Sequence, residues 1–390
     1  MSVRKRTWRT SKGEAKEAWI VDYVDQQGDR HIETFERKKD ADAYQATVKV
    51  DVSKGIHTAP SKSLTVLEAA DVWINKVIAD DCERTTIDQY RQHVRLHIAP
   101  RIGKLKLAQL TTPQMKGFAD ELLKTTSRPM ARKVLTSIKS MFKVSGYSHI
   151  VLDVKIKNVK RDKRKLEIGI DIPTPGEVKR AIDSATDLKR RGLLMTVALT
   201  GLRASELRGL RWADVDFKNE EIHVRQRADR YNQIGSPKSV SSQRTIPMGP
   251  QCLAVLREWK LACPKGEANL VFPTSSGKAD HHANLLRGLV STMTAAGLLV
   301  PVKDGKGATR RDEAGEPLMT PKYALHSFRH YFASWCINPA SRGGRQLPPK
   351  EVQELMGHSS IVMTLDLYGH LFPRGNDKAE LASSEAAMFA

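Results

Sequence analysis

The sequence is short of cysteine and of uninterrupted apolar stretches. Its four cysteines, Cys82, Cys252, Cys263 and Cys336, are scattered through 390 residues with no C-x-x-C spacing. A disulfide framework or a structural zinc site is therefore not expected, and reduced thiols in a cytoplasmic protein are. The longest apolar candidate, residues 192–202, is interrupted by Thr196 and Thr200. It falls far short of the roughly 18–20 residues that cross a bilayer. The opening residues, MSVRKRTWRTSKGE, carry charge but no following apolar stretch, so no secretory leader is expected. Low-complexity tracts and repeats of fixed period are lacking too. Acidic residues are the remaining shortage. Asp and Glu number 44 against 64 Lys and Arg, a net charge of +20 with pI near 9.8. That surplus points to a polyanionic partner, with nucleic acid ahead of anionic membrane.

What is present is the composition of a soluble globular protein, 40% hydrophobic and 28% charged. The length predicts two to four domains, each able to bury a core. Residues 1–63 read as a small sheet with one helix. AWIVDYV (18–24) and HIETF (31–35) alternate as strands around a turn at Gln27-Gly28, and DADAYQATVKV (40–50) reads as a short helix capped by Asp40. Basic residues crowd the strand ends: Arg4, Lys5, Arg6, Arg9, Arg37, Lys38 and Lys39. A loose stretch, 54–62, follows. Residues 64–159 read as four helices, with Leu64, Leu67, Ala70, Trp73 and Ile74 on one face, and Ile87, Tyr90, Val94 and Ile98 on the next. Thr112-Pro113 reads as a cap followed by a first-turn proline. Residues 155–165, KIKNVKRDKRK, hold seven basic residues and one acid, either a solvated linker or a segment lying along phosphates. Residues 171–390 are mixed: many helices, three short strands near 215–248, and a polar, glycine-rich exposed loop at 302–316.

Four short strings in the third block carry the chemistry. In TGLRASELRGLRW, Arg203 opens a helical segment with Glu206 one turn on; alone, such a pair is an ordinary helix surface pair. In SPKSVSSQRTIPM, Lys238 sits in a polar turn before a strand, where a lone lysine is normally solvated. In HSFRHYFASW, His326 and Arg329 share a helix face; His326 and His330 have the spacing of a zinc helix, but no Glu follows His326. In LMGHSSIVMTLDLYGHL, Gly357-His358-Ser359 reads as a break and a helix cap, with Tyr368 near the end of the next helix, where a tyrosine is usually core. Taken together, phosphate-binding basic groups, a lysine, histidines and a late tyrosine fit metal-free phosphoryl transfer by a tyrosine nucleophile.

In this order, R-A-S-E-L-R-G-L-R-W, the K…R-T-I-P strand, H-S-F-R-H, L-M-G-H-S-S and L-Y-G-H-L closely resemble the tyrosine recombinases, specifically the phage-type integrases. The resemblance covers essentially the whole chain and implies an α+β multidomain fold. Residues 1–63 would be an AP2-like arm-binding domain and 64–159 a SAM-like core-binding domain. Residues 160–170 would be a basic linker and 171–390 a mainly helical catalytic domain with a small antiparallel sheet and a C-terminal tail. By motif, it implies Arg203 and Arg329 as phosphate-clamping arginines, Lys238 as the hairpin lysine and candidate general acid, His326 and His358 as the two motif histidines, the first placed to exchange the tyrosine proton and the second a further phosphate donor, Tyr368 as the nucleophile and Glu206 as a supporting acid. Ser327-Phe328 stands where an Asp-Leu pair is common, and the loop 302–316 is long.

The resemblance implies cleavage and rejoining of double-stranded DNA at core and arm attachment sites by a homotetramer, without metal, cofactor or ATP. A host bending protein and an excision factor are further partners open to such an enzyme, and the resemblance implies a bacterial host, with the enzyme in the cytoplasm at the nucleoid. Arg4, Lys5, Arg6, Lys38, Lys39, Lys160, Arg161, Lys163, Arg164 and Lys165 are the expected DNA contacts outside the catalytic set. Two alternatives stay open. A type IB topoisomerase uses the same nucleophile, and the arm-like first block argues against it. A DNA-binding regulator with a dead site is opposed by the intact six residues. The tail at 378–389 reads either as a helix docking on a neighbour or as a frayed end.

Overall fold

The computed structural model describes residues 1–390 except 10, 12–13, 54, 56, 58, 159–163, 238, 306, 374–376 and 390. The chain divides into two compact units, Met1–Lys160 and Arg161–Ala390.

The first unit opens with a three-stranded antiparallel sheet, β1 (Ser2–Arg9), β2 (Ala15–Val24) and β3 (Arg30–Phe35), in that order. Val21 and Tyr23 on β2 pack against Ala41 and Val48 of α1 (Lys38–Ser53) to form a small core. β1 was not expected as a strand. Apart from partly buried Val3 its side chains are exposed, so no alternation marks it. Backbone pairing holds it, from Ser2 opposite Asp22 to Arg9 opposite Ala15. Arg4, Lys5 and Arg6 therefore lie within an edge strand, not at a strand end. The helix also starts earlier than expected: Asp40 lies inside its first turn and pairs with Arg37.

The stretch 54–62, expected to be loose, is tied down where it is described. His57 Nε2 lies 2.8 Å from Tyr23 Oη, and its carbonyl accepts from Gln26 Nε2 at 2.7 Å. Lys62 pairs with Asp29, and Lys106 Nζ donates to the Pro60 and Ser61 carbonyls at 2.7 and 2.9 Å.

Beyond it come α2 (Val66–Ala79), α3 (Arg84–His93), α4 (Ala99–Ile102), α5 (Thr112–Thr125), α6 (Arg128–Val144) and the single turn α7 (Ser148–Val151). Side chains at helical spacing, among them Trp73, Ile98, Met115, Ile138 and Phe142, bury a second core. Leu64 and Leu67, expected on the buried face, are exposed. α3 passes into α4 through a π-helical turn, Val94–Ile98, just before Pro100. A proline inside a helix lacks the N–H and crowds the preceding turn, and the wider turn relieves both. The start of α5 is one residue earlier than Thr112-Pro113 suggests. Thr111 is the cap, in a reciprocal box with Gln114, and Thr65–Glu68 caps α2 the same way.

The second unit carries α8 (Pro175–Asp183), α9 (Leu188–Thr200), α10 (Ala204–Gly209), β4 (Val215–Asp216), β5 (Glu221–Val224), β6 (Arg227–Ala228), β7 (Ile234–Gly235), β8 (Arg244–Pro247), α11 (Pro250–Ala262), α12 (His282–Ala295), β9 (Leu299–Pro301), β10 (Met319–Pro321), α13 (Leu325–Ile337), α14 (Pro349–Met356), α15 (Ile361–Tyr368) and α16 (Asp377–Met388). Its core runs from Val178 to Tyr368 and gathers Val197, Leu207, Ile222, Ile246, Phe328 and Phe332. β4, β5 and β8 form an antiparallel sheet with β5 central, Ile222 opposite Ile246 and Val224 opposite Arg244. The mixed helix and sheet architecture is the α+β fold expected.

The polar segment 302–316 is exposed but is not a plain loop. β9 and β10 pair, and the ladder continues through Val302 N–H to Leu318 O at 2.7 Å and Arg310 N–H to Val302 O at 2.8 Å. Asp304 Oδ1 accepts from Ala308 N, and Asp312 Oδ1 from Ala314 N and Glu316 N. Aspartates that bond their own downstream amides make stable turns from polar sequence. The tail is helical, with Leu381, Met388 and Phe389 exposed.

Gly201 and Gly357 end helices in the second unit, and both take the left-handed conformation. Gly201 closes α9 at φ 62°, and Gly357 closes α14 at φ 60°. A Cβ on Gly201 would stand 2.4 Å from the Phe332 ring. Gly201→Ala is expected to cost about 2–4 kcal/mol, the sum of a left-handed alanine and a displaced core ring. Urea unfolding checks this against Gly297→Ala, which also has a positive φ but no atom within 4 Å of the added carbon.

Candidate active site

The site forms where α9 and α14 end. A helix leaves its last carbonyls without intrahelical partners and with a partial negative charge. Here arginines take them. Buried Arg329, from α13, donates to Gly201 O at the end of α9 and to Met356 O at the end of α14. Arg203, the cap residue of α10, donates to Gly357 O at 2.7 Å. Arg244, from β8, donates to Leu355 O at 2.7 Å. The left-handed glycines turn the chain so that these carbonyls face inward.

One carboxylate balances this cluster. Glu206 accepts from Arg203 Nη1 at 2.6 Å, from the Arg203 amide at 2.9 Å, and from Arg244 Nη2 and Nη1 at 2.9 and 3.2 Å. The Arg203–Glu206 spacing thus marks a buried network, not a surface pair. Burial alone would raise the Glu206 pKa, but the charges and hydrogen bonds of Arg244 and Arg203 outweigh it and hold the carboxyl at about 2. Three guanidiniums against one carboxylate leave local positive charge. Burial, with Arg203 and Arg244 nearby, pushes Arg329 down to about 9, so it stays cationic at neutral pH. The Arg203 side chain keeps about a third of its surface open, beside a cleft of about 240 Å³. Pro237 and Ser239 line that cleft together with Ser205, Ser359 and Met363.

Tyr368, at the end of α15, is buried, with its ring parallel to His358 at 6.4 Å. Burial lifts its hydroxyl to about 12 despite the nearby Arg329. His358 is fixed by Nδ1, 2.9 Å from Thr364 Oγ1. Burial and the charges of Arg329, Arg203 and Arg244 hold it uncharged, at about 4. Ser360, not Ser359, caps α15, leaving His358 and Ser359 between the two helices.

The second unit thus brings Arg203, Glu206, Arg329, His358 and Tyr368 into one region. His326 differs. It was expected to exchange the tyrosine proton, yet its ring is exposed and meets the edge of His330 at 4.6 Å. His330 is the residue at the hydroxyl, with Nδ1 2.6 Å from Tyr368 Oη. Sequence reasoning also passed over Arg244, although its R-T-I-P string was in view. The clue to His330 was its position next to Arg329, four residues on from His326. Lys238, Lys160, Arg161 and Lys163 lie outside the described residues. Among the other expected DNA contacts, Arg6, Lys38, Lys39 and Lys165 are exposed. Arg4 and Lys5 pair with Asp22 and Glu17, and Arg164 with Asp171.

Glu206→Gln is expected to destabilise the fold by about 3–5 kcal/mol, because it strands two arginine charges. The native carboxyl titrates below its unfolded value of about 4.3, so its contribution, about 3 kcal/mol, is present above that pH and lost as pH falls toward 2. Acid unfolding of the variant should lose that limb. An unchanged acid limb would show that another carboxylate supplies it.

Known proteins match this arrangement. The description "Phage integrase family" fits residues 174–374, and "Phage integrase, N-terminal SAM-like domain" fits residues 65–123. A XerC-like tyrosine recombinase of Caldanaerobacter subterraneus subsp. tengcongensis is 23% identical over 373 residues, 88% of each chain. The ICEBs1 integrase of Bacillus subtilis is 25% identical over 314 residues, 77% of this chain and 78% of its own. The solved Tn1549 transposon integrase, in complex with a circular intermediate DNA, has a TM-score of 0.59 at 21% identity. That comparison covers 83% of this chain and all of the other. With that match over more than half its length, the chain belongs to the phage integrase family: it is a tyrosine recombinase, an enzyme of site-specific DNA cleavage and rejoining.

Proposed function

We propose that Tyr368 is the nucleophile of this recombinase and that Arg203 and Arg329 hold the scissile phosphate, with His358 as a further donor. The observation that carries this is the meeting of two guanidiniums at one pair of helix ends, with the buried Tyr368 ring parallel to His358, the residue after Gly357. A guanidinium can bond two non-bridging oxygens at once, which suits the charge that builds in the pentacoordinate state. Losing one such donor costs roughly 3–4 kcal/mol of barrier. The Tyr368 oxygen bonds to phosphorus as the bond to the 5′ oxygen breaks. A 3′-phosphotyrosine and a free 5′ hydroxyl result. The ester conserves the bond energy, and the reverse attack by another strand's 5′ hydroxyl rejoins the DNA.

Lys238 is the proposed general acid for the departing 5′ oxygen. Its chain neighbours Pro237 and Ser239 line the cleft beside Arg203, which supports that role.

The physiological reading is integration, and also excision, of a mobile element or prophage in a bacterial cytoplasm. Two duplexes with two half-sites each call for four protomers, and the exposed apolar tail helix is the proposed contact between them. Residues 1–63, with Arg4, Arg6, Lys38 and Lys39 exposed, would hold arm sites. Residues 64–159 and 171–390 would hold the core, and the basic residues of 160–170 would add phosphate contacts. Among the described residues no helix is long and apolar enough to cross a membrane.

Tyr368→Phe should bind DNA as the wild type does and form no covalent adduct, because only the nucleophilic oxygen is lost. Denaturing gels with a nicked suicide substrate read this, and an adduct in the variant would reject the assignment. Lys238→Ala should be slowed about 10²–10⁴-fold on ordinary DNA, the range of a lost general acid. It should be largely restored when sulfur replaces the 5′ bridging oxygen, since thiolate leaves without a proton. Arg329→Ala should stay slow on both substrates. Equal defects of Lys238→Ala on the two would leave the lysine a mere DNA contact.

A further inference from the structure

Two imidazoles, His330 and His358, face Tyr368, a third packs behind His330, and they are not equivalent. His358 lies parallel to the ring, and its Nδ1 faces Thr364. His326 is exposed and packs on His330. His330, half-buried on α13 directly after Arg329, has Nδ1 2.6 Å from Tyr368 Oη. That is within direct proton-transfer reach. The tautomer that carries its proton on Nε2 leaves Nδ1 free to accept.

Resting on the reading of Tyr368 as nucleophile, we infer that His330 is the base that takes the phenolic proton on cleavage and returns it on rejoining. In the forward step the Oη–P bond forms and the P–O5′ bond breaks. The phenolic proton passes from Oη to Nδ1, and the electron pair of the O–H bond stays on the attacking oxygen. The leaving 5′ oxygen keeps the pair of the broken bond and takes its proton from the general acid, Lys238 in the reading above. His330 gains one positive charge and the acid loses one. In the reverse step the 5′ hydroxyl returns its proton to the deprotonated acid as the P–O5′ bond forms, the P–Oη bond breaks, and the imidazolium reprotonates the leaving phenolate.

The surroundings make this base depend on DNA. Groups facing His330 are His326 and Arg329 on its own helix, Tyr368 on α15, and Asp171 from the segment before α8. Burial, His326 and Arg329 push its pKa down to about 4, with Asp171 opposing. With the phenol near 12, the proton stays on oxygen in the free enzyme. A phosphodiester clamped by Arg203 and Arg329 brings the negative charge that an imidazolium here requires. The nucleophile is thus kept protonated until its substrate supplies the compensating charge.

The test is single-turnover cleavage of the nicked suicide substrate by the full chain. His330→Asn sets an amide oxygen near the place of Nδ1, which can accept the hydrogen bond but not the proton. His330→Ala removes both. Gel-shift affinity equal to the wild type reports that each variant folds. Both variants should cleave about 10²-fold slower at pH 7. Hydroxide should then replace the lost base, closing the gap to wild type by close to tenfold per pH unit. Added neutral imidazole should restore His330→Ala and leave His330→Asn slow.

His330→Asn within about threefold of wild type would overturn the inference, since the side chain would then only hold the hydroxyl. A slow His330→Ala that imidazole does not restore, with an unchanged pH slope, would also overturn it. The same would follow if His326→Ala, not His330→Ala, showed the altered slope and the imidazole rescue. A wild-type chain without a Tyr368-dependent adduct would overturn the nucleophile reading as well, whereas a wild-type adduct with any of the preceding outcomes rejects this inference alone.

Discussion

Much of the second unit depends on placing three arginines against the exposed carbonyls of two helix ends. Arg329, Arg203 and Arg244 reach Gly201, Leu355, Met356 and Gly357, and Glu206 ties two of the three to one carboxylate. Each partner answers a cost imposed by another. The carbonyls would be orphaned, the guanidiniums would be desolvated without acceptors, and the carboxylate would be buried without cations. The network therefore forms as a unit. It joins α9, α10, β8, α13 and α14, which come from distant stretches of the chain. The same network leaves Arg203 facing the cleft. Stability and the proposed phosphate recognition thus draw on one set of charges, with a surplus of cation that a phosphodiester can neutralise.

The proposed nucleophile, Tyr368, is held in an unreactive state by the same burial that positions it. A phenol moved from water into this core loses the solvation of its phenolate, so its pKa rises to about 12 even beside Arg329. The neighbouring imidazoles, desolvated among cations, fall to about 4. In the free enzyme neither direction of shift favours proton transfer. Adding one negative phosphate changes the balance at every one of these groups at once. That is an economical route to a nucleophile that waits for its substrate.

How much of this could be read from the residues differs from element to element. The helices of residues 64–159 were legible because Ala70, Trp73 and Ile74, and then Ile87, Val94 and Ile98, recur at helical spacing and face one core. Strand β1 was not, because an edge strand held by backbone pairing needs no apolar alternation. The turns within 302–316 were hidden for a related reason. Asp304 and Asp312 fold their own backbones locally, and polar composition by itself looks the same as a loop. At the site, Arg203, Glu206, Arg329, His358 and Tyr368 were visible as an ordered set of strings. Arg244 and His330 were not, because neither stands out by type: one is a strand arginine, the other a histidine discounted with a failed zinc pattern.

The sequence by itself determined the chemistry this chain can perform. A strong excess of cation, an ordered series of arginine, lysine, histidine and tyrosine motifs, and helix periods around them are properties of residue type and spacing, and they survive without coordinates. Only the tertiary structure decided which groups meet. His326 and His330 are separated by one helical turn and are chemically identical. Local sequence cannot choose between them, because the choice depends on where α15 brings Tyr368 against α13. The fate of the Arg203–Glu206 pair was decided in the same way. On an isolated helix it is a surface contact worth a few tenths of a kcal/mol. Burial beneath Arg244 and the end of α14 turns it into the charge centre of the site, since the strength of an ion pair is set by the solvent it loses, and that is a property of the packed chain.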